Sequence, residues 1–565
     1  MQPVPLTIGV TAHRDLKAEE IPRLKLLVGT FFDQLREDYP DNPLQVMSPL
    51  AEGGDRLVAE VAVERGLELV AILPFELAEY RRDFSSDASR AEFDALREKA
   101  HRVIELDPAG GFEVARIAEG GIARDVQYAN LGACVSDRSQ ILVALWDGRQ
   151  LNRPGGTSQV VNYHQFGHMR GVDGQFDRPN ILAEDDTDLV VHLVCSRDRP
   201  DGDPPEPLIP LTQRLLISDP ERREVAEFPP RYRHMLDRLA EYNRDLKLVP
   251  ESVENPDYLP GWHRQLTEDS ALLPIGEHFF SADYLAGYFQ KRYVLALRTI
   301  AGLGLLMTSA FLAFADLEMS LMIYVFLGAF VFGAVVMNFA SRFQWHRKYL
   351  DYRALAEGLR VQFYWGLGGV SGRFRNDFAH DNFLQKQDLE IGWIRNVMRH
   401  VSLVGDPVCR PAQLAQTIDH WVGDRETGQL GFYSSRSVRM HRSTQRTRRM
   451  IRVSLWLSLT AALALALLQF QMTEPMQQAL LVIIGLLSIG VGVRELYASR
   501  TAEAELARQY EYMVRVFRDA RLRLDQAENS EQKREILRAL GEAALDEHAE
   551  WIKRHRERPL EQASF

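Results

Sequence analysis

Three short segments of this sequence gather glycine, hydroxyl, acidic and basic side chains at the spacing of an anion-binding turn. Thr11, His13 and Arg14 stand in "TAHRD", and Ser48, Glu52, Gly53, Gly54 and Asp55 in "SPLAEGGD". Asp147, Gly148, Gly155, Gly156, Thr157 and Gln159 stand in "WDGRQLNRPGGTSQ". Glycine lets main-chain amides approach an anion closely, and the start of a following helix adds its dipole and unpaired N–H groups. The Thr157 hydroxyl can bond the helix backbone or a phosphate oxygen, and Arg14 can meet a phosphate or form a surface ion pair. For bond cleavage the candidate bases are Glu52 and Asp147, whose bland alternatives are a helix-start charge and a turn residue. Gln159 is neutral; it can hydrogen-bond a ribose but cannot take a proton near neutral pH.

The elements that must position these residues are legible as alternation. Apolar strand patterns at Leu6–Val10, Leu44–Met47, Glu68–Leu73, Arg102–Glu105, Ile141–Trp146 and Leu189–Cys195 alternate with helical patterns such as Ala18–Glu37, Asp55–Arg65 and Arg90–His101. That order predicts a parallel α/β sheet. Each of the three segments follows a strand, and in open sheets ligands bind beyond the carboxyl ends of strands. A nucleotide-binding α/β domain is the expectation.

Further along, the chain changes class. Two long apolar regions begin at Val294 and Ile451, and each is broken once, at Asp316-Leu317-Glu318 and around Gln471–Gln478. Each arm is roughly 18–22 residues, the length that crosses a bilayer as a helix. The reading is an all-α membrane region of two transmembrane hairpins, four spans in all, with cytosolic helices. Lys291, Arg292, Arg342, Arg347 and Lys348 flank the first hairpin, and Arg446, Arg448, Arg449, Arg452, Arg494 and Arg500 the second. The connecting loops carry acids only, so the positive-inside rule places both termini in the cytoplasm. No charged residue lies deep in the spans, which counts against a pump. The hairpins read as two copies of one unit, starting about 155 residues apart. Leu506, Tyr510, Met513, Phe517, Ala520 and Leu524 form an apolar seam on the helix after the second, suited to a partner helix in this chain or in another subunit.

Composition narrows the remaining classes. The 565 residues carry a formal charge of −11, against a dedicated nucleic-acid binder, with 46% hydrophobic and 26% charged residues. Cys134, Cys195 and Cys409 lie far apart with no CxxC pair, which predicts neither a disulfide framework nor a zinc site. His164 and His168 have metal-ligand spacing, but Gln165 replaces the glutamate a zincin needs and Gly167 weakens the helix. No metal and no required cofactor are expected.

The run "YANLGACVSDRSQILVALWDGRQLNRPGGTSQVV", with "TAHRD" and "MSPLAEGGDRLVAEVA", resembles the SLOG superfamily, Rossmann-like domains related to the lonely-guy phosphoribohydrolases. The hairpin units, with "RKYLDYRALAEGLRVQFYW" and "HWVGDRETGQLGFYSSRSVRMHR", resemble the SLATT membrane modules of bacterial conflict systems. The resemblance implies a cytosolic sensor for a nucleotide or NAD-derived messenger that drives a membrane effector, with a pore as one outcome. The lonely-guy pattern PGGxGTxxE is incomplete here: the glycine spacing is shorter and Val160 stands where its glutamate belongs. Binding without turnover is therefore the preferred expectation.

The expected organisation is a nucleotide-binding domain over 1–200, a linker and helical connector over 201–275, and the first hairpin with its helical extension over 276–395. A connector over 396–450, the second hairpin with its helix over 451–530 and a helical tail over 531–565 complete it. The expected whole is a homo-oligomeric, multi-pass protein of the bacterial inner membrane, gated by a nucleotide-type ligand, in antiphage defence. Its alternatives are a membrane-anchored nucleotide or NAD glycosidase, and a membrane scaffold without a ligand.

Overall fold

A computed structural model describes residues 2–172, 188–218, 222–250, 272–370, 383, 391–402, 411–468 and 470–556. The chain packs into two compact units, Met1–Glu277 with Ser371–Asp406, and His278–Val370 with Pro407–Phe565. Cys409 lies outside the described residues.

In the first unit the strands are β1 (Leu6–Ala12), β2 (Leu44–Ser48), β3 (Glu68–Leu73), β4 (Arg102–Glu105), β5 (Ile141–Trp146), β6 (Val190–Val194), β7 (Gln213–Ser218) and β8 (Arg222–Val225). Between and after them run α1 (Ile21–Asp38), α2 (Gly54–Glu64), α3 (Asp87–Lys99), α4 (Ile122–Asp137), α5 (Thr157–Phe166) and α6 (Pro230–Asp245). The eight strands form one sheet in the order β4-β3-β2-β1-β5-β6-β7-β8. Pairing is parallel from β4 to β6 and antiparallel at β6–β7 and β7–β8. This is the parallel α/β sheet that the alternation predicts, in the Rossmann-like order that the resemblance implies, extended at one edge by two strands not predicted from the sequence.

The central strands are apolar because helices cover both of their faces. Every residue of β5 is buried, and Leu142, Ala144 and Trp146 pack with Met47, Val70 and Ile72 of neighbouring strands. On the helices the apolar positions recur on one side: Leu24, Val28, Phe31, Phe32 and Leu35 of α1 are buried while its remaining face is mostly open. At the other end of the unit, α6 packs with the helix Gly392–Ser402, Tyr242 lying 5.3 Å from Trp393.

The second unit is helical: α7 (Leu273–Asp316), α8 (Met322–Arg342), α9 (Trp345–Gly368), α10 (Gly428–Leu468), α11 (Glu474–Arg500), α12 (Glu503–Gln526) and α13 (Ser530–Arg556). Four helical stretches, in α7, α8–α9, α10 and α11, are long and apolar enough to cross a membrane. Their most apolar windows are 17%, 6%, 0% and 0% buried within the protein. Soluble proteins rarely leave so much contiguous apolar surface open, so these faces call for a nonaqueous surrounding. In both hairpins the second arm ends at a left-handed residue, Gln344 or Ala502, which starts the next helix in a new direction. The same device at corresponding places agrees with the doubled pattern in the sequence. The seam on α12 packs within the chain: Phe517 lies 5.5 Å from Tyr433 at the start of α10 and 6.3 Å from Trp421. The helix of the first copy, α9, meets α13 instead, where Trp365 Nε1 donates to the Leu537 carbonyl at 3.2 Å.

Candidate functional site

β1 has β2 on one side and β5 on the other, in register from Ile8 against Ile141 to Ala12 against Leu145. The chain leaves β1 toward β2, so the sheet changes winding direction between β1 and β5. Loops that diverge at such a switch point leave a crevice above the strand ends. Here that crevice is a cavity of about 530 Å3. His13 and Arg14 line it after β1, and Gly155, Gly156 and Thr157 line it at the start of α5. The turn after β1 is pinned by the His13 N–H, which donates to the Leu145 carbonyl at 3.0 Å.

The PGGT turn meets the cavity with open donors. The Gly156 N–H is used by the Arg153 carbonyl at 3.0 Å, and Gln159 and Val160 donate back to the Gly156 carbonyl. Among the described residues no side chain caps α5, and the N–H groups of Thr157 and Ser158, whose residues line the cavity, have no backbone acceptor. A helix start in this state attracts an anion. Gly155 answers to a different constraint. Its φ is +70°, and a Cβ there would stand 2.6–2.9 Å from Tyr128 Cβ, the Tyr128 carbonyl carbon and the Ala129 nitrogen. The turn lies directly on α4.

Other residues named from the sequence lie around this cavity without lining it. Thr11 is buried at the end of β1. Gly53 has φ +84°, and its missing side chain leaves room for the Arg14 backbone; the Gly54 N–H donates to the His13 carbonyl at 3.0 Å. This glycine pair thus seats the β1 turn from below. Ser48 Oγ donates to the Asp55 carbonyl at 3.2 Å and accepts from the Leu50 N–H. Glu52 takes bonds from the Ser85 N–H at 3.0 Å, the Ser85 hydroxyl at 2.9 Å and the Ser89 hydroxyl. Burial opposes its charge, but those bonds and nearby Arg56 outweigh it and hold its carboxyl below the usual range. Gln159 Nε2 donates to the Leu151 carbonyl at 2.6 Å and its Oε1 accepts the Arg170 N–H, bracing the β5–α5 loop.

Asp147 is fully buried, with Oδ1 3.1 Å from His13 Nε2 and Oδ2 3.6 Å from Arg199. Burial raises its pKa, but His13, the Arg149 N–H and Arg197 together hold it below the ordinary carboxylate value. It is therefore a fixed negative charge beneath His13. Gly148 follows at φ +83°, close to Leu208.

Apart from Arg14, the cavity's most prominent feature is not among the residues singled out from the sequence. Six arginines line it, Arg14, Arg124, Arg149, Arg153, Arg197 and Arg199, against Asp83 and Asp125. Arg124 is held by Glu79 at 2.9 Å and Asp83 at 2.7 Å, and Arg197 by Asp15 at 2.8 Å. Arg149 donates to the Asp203 carbonyl at 2.9 Å. Arg14 lies 5.6 Å from the Tyr128 ring centre and donates to its hydroxyl at 3.4 Å. Neither Arg14 nor Arg153 forms an ion pair among the described residues. Tyr128, whose hydroxyl donates to Asp83, and Trp146 add aromatic surface. Arg149 and Arg153 were within reach of sequence reasoning, since both interrupt "DGRQLNRPGGT". Arg197 and Arg199 lie at the very end of the expected nucleotide-binding domain, next to the expected linker over 201–275, and line the crevice.

Asp55 beneath the turn provides a pH signature. It is 5% exposed, and burial pushes its carboxyl up to about 8 despite Arg14, the Ala12 and Ala51 amides and Arg56. A carboxyl with a raised folded-state pKa contributes stability that is fully present below its unfolded value near 4 and is lost as pH rises through about 8. Asp55→Asn, which keeps shape without charge, is expected to gain stability relative to the parent as pH rises from 4 to 8. Paired thermal melts across that window check this; a constant difference would contradict it.

His164 is committed to the core, with Nδ1 2.9 Å from Ser136 Oγ and Nε2 3.2 Å from the Leu189 carbonyl. Among the described residues no group of three or more His, Cys, Asp or Glu side chains is arranged to hold a metal. No protein-family model matches the chain, and no curated protein matches it.

Proposed function

We propose that the chain is a membrane receptor-effector whose α/β unit captures a nucleotide-type, phosphorylated small molecule in the β1–β5 crevice and whose helical unit acts in the bilayer. The observation that carries this reading is the cavity itself: about 530 Å3, walled by six arginines and opened by the α5 start. Guanidinium groups bind phosphate oxygens through paired, charge-assisted hydrogen bonds, and the Tyr128 and Trp146 rings offer a base or ribose apolar contact. A neutral or cationic ligand would leave Arg14 and Arg153 uncompensated. Binding without turnover fits the site better than hydrolysis, because Glu52 is engaged by Ser85 and Ser89 outside the cavity and Asp147 is sealed beneath His13. The resemblance to SLOG and SLATT proteins extends the proposal to a homo-oligomer in bacterial defence that perturbs the inner membrane when its messenger arrives.

The test uses the full chain in dye-loaded lipid vesicles. Adding ADP-ribose or ATP as probes is expected to release dye from vesicles carrying the parent protein. Thr157→Glu places a carboxylate at the α5 start and is expected to abolish release while leaving insertion intact. Equal release by parent and variant would sink the proposed trigger, and free base appearing in the medium would favour the glycosidase.

Orientation follows from the basic flanks. Both termini are proposed to be cytoplasmic, with only the turns near Glu318 and Thr473 outside. Cysteines introduced at those two positions are expected to react with an impermeant maleimide on intact spheroplasts, whereas one at Glu528 reacts only after lysis. Labelling of position 528 in intact spheroplasts would reverse the assignment.

A further inference from the structure

A second cavity, of about 310 Å3, lies wholly within the helical unit. It sits where the apolar stretches of the helices end: Val294, which opens the first stretch, lines it, and so does Arg500, the last residue of α11. α10 contributes Arg436, Arg439 and Met440, and α11 contributes Tyr497 and Arg500. These positions are three or four residues apart, so each set shares one helix face. Arg436 and Arg439 form no ion pair among the described residues. The one carboxylate on the wall, Glu503, is bound by Arg494 at 2.9 Å.

Two buried aromatic side chains border the cavity. Tyr293 is 5% exposed and Trp551 8%, and neither Tyr293 Oη nor Trp551 Nε1 has a hydrogen-bond partner among the described residues. Both rings are fixed by neighbours: Tyr293 stacks on His346 with centres 4.5 Å apart, and Trp551 stands edge-on to Tyr349 at 6.2 Å. Buried donors without acceptors are rare and ask for an explanation. An anion in the cavity would meet the guanidinium groups of Arg436, Arg439 and Arg500 that line it. Basic pockets at the ends of membrane helices, bordered by aromatic side chains, suit lipid headgroups.

We propose that this cavity is a phosphate site, distinct from the β1–β5 crevice, filled by an anionic phosphate that a lipid headgroup or the surrounding solution supplies. Its position at the ends of the apolar stretches favours the headgroup. Occupancy would tie α7, α10, α11 and α13 together at one level, since each lends the cavity a wall.

The experiment follows thermal unfolding of the detergent-solubilised full chain with phosphatidylglycerol or inorganic phosphate, using phosphatidylcholine as the baseline. Phosphatidylglycerol is expected to raise the midpoint by at least about 2 °C over that baseline, because a ligand bound only to the folded form stabilises it. Arg436→Gln with Arg439→Gln is expected to remove the shift. Arg442→Gln with Arg446→Gln, an equal loss of charge on the same helix outside the cavity, is expected to keep it. A shift from inorganic phosphate that the first pair abolishes supports the same site with a soluble occupant. No shift with either probe, or equal shifts in the two double variants, overturns the proposal. Neither pair touches the crevice of the α/β unit, so failure here leaves the receptor reading standing.

Discussion

Replacing Arg14 and Arg153 together with alanine is expected to weaken binding of ADP-ribose to the full chain by at least about 100-fold. A hydrogen bond to a charged group contributes about 1.5–3 kcal/mol, so losing one such bond from each residue gives about 3–6 kcal/mol. These two are chosen because the other cavity arginines already serve the fold: Arg124 bridges Glu79 and Asp83, and Arg197 holds Asp15. Removing Arg124 would confound binding with folding, whereas Arg153 is exposed and forms no ion pair among the described residues. The unliganded double variant should melt within a few degrees of the parent. Residual affinity should also lose much of its salt dependence, since screening acts on the charges removed. Isothermal titration at two ionic strengths measures both effects, and an affinity within threefold of the parent would contradict the assignment.

The second large effect is expected at Gly53, which does not line the cavity. Its φ of +84° with ψ of −121° is a conformation that side chains essentially exclude, and a Cβ there would stand 2.8 Å or less from Arg14 backbone atoms. Gly53→Ala is expected to destabilise the α/β unit by at least about 2 kcal/mol, the cost of holding a non-glycine residue in such a region with a backbone clash added. The chain can relieve the clash only by moving the turn that carries His13 and Arg14, so ligand affinity should fall as well. Chemical denaturation with parallel titration checks the pair of effects. A stable variant with weak binding would instead mean that Gly53 contacts the ligand directly.

Strands β3 and β5 are readable to the residue because apolar runs between polar breaks have few other uses, whereas β4 ("RVIE") is legible from its place in the alternation. β7 and β8 are not: "QRLLIS" and "RREV" are half exposed and follow a proline-rich stretch, and it is pairing, of β7 with β6 and of β8 with β7, that gives them strand geometry. The apolar hairpins are plain from length and composition alone. Within the site, glycine pairs are visible but ambiguous, because close approach of an anion and close approach of another backbone demand the same missing Cβ. Gly156 opens on the cavity, Gly155 answers to α4, and Gly53 and Gly54 answer to the β1 turn. Arginine convergence is the least legible feature. Arg14, Arg124, Arg153 and Arg199 come from four different connections and meet only because the sheet changes direction between β1 and β5.

The cavity's chemistry can be read by comparing ligands that differ only in phosphate. Equilibrium titration of the purified full chain with adenosine, AMP, ADP-ribose and ATP is expected to show affinity rising with phosphate charge and no measurable binding of adenosine. Equal affinities for adenosine and its phosphorylated relatives, or no binding by any of them, would contradict an anion-receiving crevice between β1 and β5.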